Sequence, residues 1–209
     1  MHAVTLSAFQ MSAYEIIQGQ YKAVMGTNPS SFKGDDNLPV EQVSWWDAIK
    51  FCNAASDSSV LSRCYNESTG ACDFTKNGFR LATEAEWEYA CRAETTTKYY
   101  TGDNASDLDR TGWYYDNSSN KTHPVGLKTP NGHGLYDMHG NVLEWCNDWY
   151  GDYSSGSATN PTGAQTGSFR VARGGGWDGG DDYCRSAYRY GTTPDGRRDA
   201  RGFRVVRRL

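Results

Sequence analysis

From Tyr99 to Pro130 the chain runs for more than thirty residues with neither the alternation of a strand nor the 3.6-residue period of a helix. So long a structureless run is uncommon in a compact domain. It is either a functional loop or irregular chain packed by its own side chains. Trp113, Tyr114 and Tyr115 favour packing. The remainder agrees: 7 Trp, 14 Tyr and 7 Phe stand beside 23 Gly, with few aliphatics. This predicts a loop-rich fold whose core is built from rings.

Regular elements are legible around that stretch. Val4 to Met11 alternates apolar and polar residues and reads as one strand. Tyr14 to Met25 carries a helical period, with Ile17, Tyr21 and Val24 on one face and Gly26 as its stop. After a loop over 27–38, Ser44 and Asp47 begin a second helix that buries Ala48, Phe51, Cys52 and Ala55. Thr83-Glu-Ala-Glu86 is a capping box that starts a third, with Trp87, Ala90 and Cys91 inward. A Gly/Ser/Thr-rich loop over 150–166 reads as mobile. Strands are predicted at 169–171, 184–190 and 202–206.

A chain of 209 residues fits one domain, 1–209. Its mean hydropathy is −0.74, and no apolar run approaches the roughly 20 residues that span a bilayer. Its aromatic content argues against disorder. The net charge of −4 divides unevenly: residues 170–209 carry ten Arg and five Asp, hence +5, leaving −9 for the rest. The interleaved Asp residues break up a phosphate-tracking stripe, so nucleic acid is not an expected partner. No secretory leader is visible at Met1-His2-Ala3.

The six cysteines form no CxxC pair, which argues against a zinc knuckle or thioredoxin-like site. Cys64 and Cys72 bracket a turn and could be bridged across a hairpin. Cys52 and Cys91 read as buried free thiols. His123, His133 and His139 belong to no HExxH or triad and read as surface or turn residues. Gly174-Gly-Gly176 lacks the context of a phosphate loop and reads as close backbone approach. The sequons at Asn66, Asn104 and Asn117 are too short to carry weight.

Residues 178–201 hold 24 positions and contain no Asn, Leu, Val, Ile, Lys or Glu. Tyr183, Tyr188 and Tyr190 mingle with Asp178, Asp181, Asp182, Arg198, Asp199 and Arg201. Tyr and Arg anchor interfaces, while Gly and Ser give adaptable contacts, the mixture found in antibody loops. The candidate binding surface is therefore Asp178, Gly179, Gly180, Asp181, Asp182, Tyr183, Tyr188, Tyr190, Gly191, Thr192, Gly196, Arg198, Asp199, Ala200 and Arg201. The competing reading is a solvated region whose Tyr residues close the core. Arg189, Pro194, Gly202, Phe203 and Arg204 read as scaffold, and Cys184 as core.

Six segments, read in order, resemble one family: Leu38–Ala48 (LPVEQVSWWDA), Phe79–Ala90 (FRLATEAEWEYA), Asn131–Trp145 (NGHGLYDMHGNVLEW), Arg173–Trp177 (RGGGW), Cys184–Arg189 (CRSAYR) and Gly202–Arg204 (GFR). The set is similar to the sulfatase-modifying factor family, which includes formylglycine-generating enzyme. The resemblance implies an α+β C-type lectin fold of the formylglycine-generating-enzyme type, with small antiparallel sheets, two or three helices and much irregular chain.

The enzymes of that family use a cysteine pair with copper and oxygen. This chain has Gly179 at the first place and Cys184 at the second, and one thiol cannot make a two-thiolate copper site. The disulfide partners the family implies for Cys52 and Cys91 are replaced by Val205 and Arg189. An oxidase or other thiol-directed enzyme is thus the alternative reading, and no copper is expected.

The family also includes the variable proteins of diversity-generating retroelements. In these, a C-terminal stretch is rewritten at adenines and displayed for ligand binding. Most residue types in 178–201 can be reached from an AAC codon by changing its adenines alone. The resemblance implies that 174–204 is such a region, that the protein is a monomer, and that its ligand is a protein or surface molecule. It implies display at a bacterial surface or export, with a cytoplasmic location the alternative. A fixed docking surface is a third reading. The family's calcium motif matches Asp137, Gly140, Val142 and Glu144, two carboxylates and two carbonyls suited to a structural hard cation.

Overall fold

A computed structural model describes residues 3–209, so Met1 and His2 lie outside the described residues. The alternating run at the N-terminus is two strands rather than one, β1 (Val4–Thr5) and β2 (Phe9–Met11), because each finds a different partner. Helix α1 (Gln18–Met25) starts later than the period suggests, since Ile17 bridges Pro39. Helix α2 (Trp45–Ser58) begins at Ser44. The Ser44 hydroxyl accepts from the Asp47 amide at 3.1 Å, and Asp47 accepts from the Ser44 amide at 2.8 Å.

Helix α3 (Glu84–Arg92) repeats the device with Thr83 and Glu86. Glu86 also receives the Arg80 guanidinium through two bonds of 2.6 and 2.7 Å, fixing the helix start to the preceding chain. A short α4 (Ala105–Asp109) and β3 (Gly112–Trp113) follow, then β4 (His139–Gly140), β5 (Leu143–Trp149), β6 (Ala158–Thr159) and β7 (Arg170–Arg173). The strand expected at 184–190 is instead a 3-10 turn, Asp181–Cys184, followed by β8 (Tyr190–Thr192). Strand β9 (Arg201–Gly202) and β10 (Val206–Arg208) divide the last predicted strand between two sheets.

The main sheet has the order β8-β7-β5-β9. Its first two pairings are antiparallel, but β5 and β9 run parallel. The β1–β6 and β3–β4 pairs are parallel too. The small sheets are therefore mixed rather than purely antiparallel, and four helices stand where two or three were predicted. Strands β2 and β10 pair Met11 with Val206 and join the chain's two ends.

Rings do build the core. Trp45, Trp87 and Trp145 are fully buried, and Phe203 packs edge-on against Tyr21 and Phe51. The irregular stretch is packed, with Tyr99, Tyr100, Leu108 and Tyr114 buried, although Tyr115 is exposed. The 150–166 loop is tethered: β6 pairs with β1, Ala164 bridges Trp149, and Arg189 lies over the Tyr150 and Tyr153 rings at 4.7 and 4.0 Å. Tyr65 bridges Cys72 as a hairpin would, and all six cysteines are free thiols.

Candidate binding site

Three stretches of 178–201 converge on one cavity of about 220 Å³. Asp178, Gly179 and Tyr183 come from the 3-10 turn region, Tyr188 and Tyr190 from the start of β8, and Arg198, Ala200 and Arg201 from the approach to β9. Leu143, Gly175 and Gly176 complete the lining. These three escape sequence reasoning. Leu143 is brought in only by its pairing with Arg201 across β5 and β9.

The glycines serve close approach. At Gly175, φ is +76° and a Cβ would lie 2.6 Å from the Cys184 sulfur. Gly180, Asp181, Asp182, Gly191, Thr192, Gly196 and Asp199 do not line the cavity. Ala200 and Arg201, assigned to the surface, are 4% and 2% exposed and form its floor.

The walls are aromatic and the rim is charged. Tyr183 and Tyr188 rings lie 5.0 Å apart, and Tyr183 is half exposed at 51%. Arg198 donates to Asp178 at 3.0 Å. The Arg201 guanidinium lies 4.8 Å from the Trp145 ring and 5.9 Å from that of Tyr190. Burial lowers its pKa to about 10.

Fixed parts of the chain hold this surface mostly through its backbone. Gln42 N–H donates to the Arg198 carbonyl, Trp45 N–H to that of Pro194, and Tyr115 N–H to that of Gly179, each at 2.9 Å. Trp177 Nε1 donates to the Asp199 carbonyl at 3.0 Å. Arg189, by contrast, is held by its side chain, which pairs with the buried Glu84.

Cys184 sits beneath the cavity with Tyr99, Leu108 and Tyr114, fully buried, and burial pushes its thiol far up. Cys52 shares a core cluster with Val205, and burial raises its thiol as well. Cys91 lies against Ser186, and burial pushes it up to about 12. His139 is fully buried rather than on a turn. Its Nδ1 donates to the Cys184 carbonyl at 2.7 Å and its Nε2 accepts from Tyr100 N–H at 3.2 Å, while burial lowers its pKa to about 4. His123 is half buried and stacks on Trp113 at 3.8 Å, and His133 is exposed.

Asp137, Gly140, Val142 and Glu144 lie in a buried charge cluster. Glu144 has both oxygens committed: Arg204 Nε reaches them at 2.9 and 2.7 Å, and Trp87 Nε1 donates to one at 2.7 Å. Asp137 accepts from Gly126 N–H at 2.7 Å, and its other oxygen is buried with no partner among the described residues. Glu15, whose pKa is raised first by burial and then by Asp137 and Glu144, accepts from Val142 N–H and Asn141. Arg204 is the positive charge that reaches all three acids, and Lys128 acts on Asp137 as well. Glu144 would have to release Arg204 to ligate a cation, so the four residues as arranged do not fit calcium. Among the described residues no three His, Cys, Asp or Glu side chains are grouped to hold a metal.

The Sulfatase-modifying factor enzyme 1-like domain matches residues 1–209, and the chain belongs to that family. Its architecture is a C-type lectin-like variant. It is similar to Treponema denticola variable protein 1, with a TM-score of 0.94 and 38% identity over 100% of this chain and 87% of that one. It is 34% identical to the chaperone protein LppX of Paenibacillus barcinonensis, over 98% of this chain and 81% of that protein. It is 30% identical to the formylglycine-generating enzyme of Bos taurus over 97% of its own length, but spans only 66% of that enzyme. Among the described residues no helix is long and apolar enough to cross a membrane.

Proposed function

We propose that this protein binds a ligand through a diversified C-terminal surface, in the manner of retroelement variable proteins, and that it performs no catalysis. One observation carries the reading. Eight of the candidate residues, drawn from three separate stretches of 178–201, line a single cavity with three Tyr and two Arg, the residue types that anchor interfaces. The likeness to the Treponema variable protein over the whole chain supports it. So does the division of labour within the segment, where fixed parts of the chain hold the surface mainly by its backbone carbonyls and Tyr183 and Tyr190 are left exposed.

The oxidase alternative draws support from the enzymes in the family. Gly179 and the deeply buried, hard-to-ionise thiol of Cys184 weigh against it. Incubating the protein with a cysteine-containing peptide, copper and oxygen discriminates the two; formylglycine in the peptide would revive the enzyme.

The decisive experiment is to sequence the DNA around the gene. A near-copy of the codons for 174–204 differing only at adenines, beside a reverse transcriptase gene, is the expected result. Its absence would make this a fixed-specificity binder. Display at a bacterial surface is the setting the proposal implies.

A further inference from the structure

Arg201 is the anomaly of the cavity. It is 2% exposed, and its Nε and Nη1 are buried with no acceptor among the described residues. Its guanidinium lies against the faces of Trp145 and Tyr190. The other buried arginines each have an acceptor, although Arg80, Arg170 and Arg173 leave their Nε unmet: Arg204 pairs with Glu144, Arg173 with Glu88, Arg80 with Glu86, and Arg170, clasped between Trp45 and Trp149, donates to the Asn147 carbonyl. A buried cation without acceptors is among the costlier arrangements a fold can hold.

The cavity around it is short of negative charge. Its lining includes two Arg and one Asp, and Asp178 spends an oxygen on Arg198. Gly196 keeps a side chain away from the guanidinium, since a Cβ there would lie 3.0 Å from Arg201 Nη1. Tyr183, Tyr188 and Tyr190 supply flat apolar walls beside the charge.

We infer that this cavity is a subsite for a carboxylate-bearing group of the ligand, with Arg201 as its counter-ion and the tyrosine rings packing the carbon frame behind it. The inference rests on the binding-site reading above and names the ligand chemistry. A guanidinium fork matches two oxygens. The surplus of one positive charge suits a monoanion. A phosphate dianion would overshoot it beside Asp178.

Benzoate is the probe. Titrated into the intact protein, it should shift the Arg201 Nε–H resonance in a saturable way, with a dissociation constant of roughly millimolar order. Benzamide, the same shape without the charge, should bind at least about tenfold more weakly. Arg201→Met should lose at least about thirtyfold; if that variant fails to fold, Arg201→Lys should keep the fold and weaken binding several-fold. Equal response to benzoate and benzamide, or an unmoved resonance, overturns the inference. Inorganic phosphate binding more tightly than benzoate overturns the carboxylate assignment in favour of a phosphoryl group. An adenine-variant template near the gene with Arg201 indifferent to anions would sink this inference alone. Benzoate binding without a template would sink only the diversification.

Discussion

Arg204 and Glu144 face each other at 1% exposure each, the guanidinium reaching the carboxylate through Nε and Nη2 while Trp87 holds the far oxygen. Such a pair is costly to break from one side, because the survivor is left charged and buried. Glu144→Gln should therefore destabilise by about 3–5 kcal/mol in urea denaturation. Since Arg204 supplies the cluster's positive charge, excess calcium or EGTA should leave the wild-type melting temperature unmoved. A calcium-dependent rise would show that Glu144 can exchange Arg204 for a metal.

Tyr188 and Tyr190 belong to the cavity wall and contribute little to the interior. Replacing both with Ala removes one ring pair, worth about 0.5–1.5 kcal/mol, and should lower the melting temperature by only a few degrees. Benzoate binding should weaken about tenfold. A large loss of stability with binding intact would make the rings core.

Two glycines distinguish scaffold from surface. Gly175→Ala would put a methyl 2.6 Å from the Cys184 sulfur at a φ of +76°, and should cost about 2–4 kcal/mol. At Gly180→Ala the added methyl meets nothing within 4 Å, and φ is −68°, which any residue adopts. Its cost should stay below about 1 kcal/mol in the same denaturation series.

Burial raises four carboxyl groups: Asp148 and Glu41 to about 7, Asp137 to about 6, and Glu15 in the same direction. Each binds its proton more tightly folded than unfolded. Its stabilising contribution is full below the ordinary carboxylate pKa and is lost as pH rises through 6 to 7. His139, lowered to about 4, runs the other way, its penalty fading as pH rises toward 6.5. Asp148→Asn keeps an oxygen for the Glu84 amide and removes one titration. It should gain on the order of 1–4 kcal/mol over wild type near pH 8, and little below about pH 4. The same gain at both pH values would show that Asp148 does not titrate in this range.

Much of the fold was legible where local chemistry decides it. The caps at Ser44 and Thr83 rest on residues three apart, and the buried faces of α2 and α3 follow from period. What stayed hidden depends on distant partners. Val4 to Met11 alternates like one strand, yet β6 and β10 claim its two halves. His139 gives no sequence sign that Tyr100 and Cys184 will enclose it. In the candidate site, residue type pointed to one segment, and it is the β5–β9 pairing that buries Arg201 and turns it from a rim charge into a floor.

The peptide-group anchors at Gly179, Pro194 and Arg198 act on atoms that nearly every amino acid shares. On the proposed reading, the sequence that folds this chain is thereby kept largely apart from the sequence that would recognise a ligand. Tyr183 or Asp178 could then be exchanged while those carbonyls stay where they are, and new specificities would be sampled on a framework that need not be re-evolved each time.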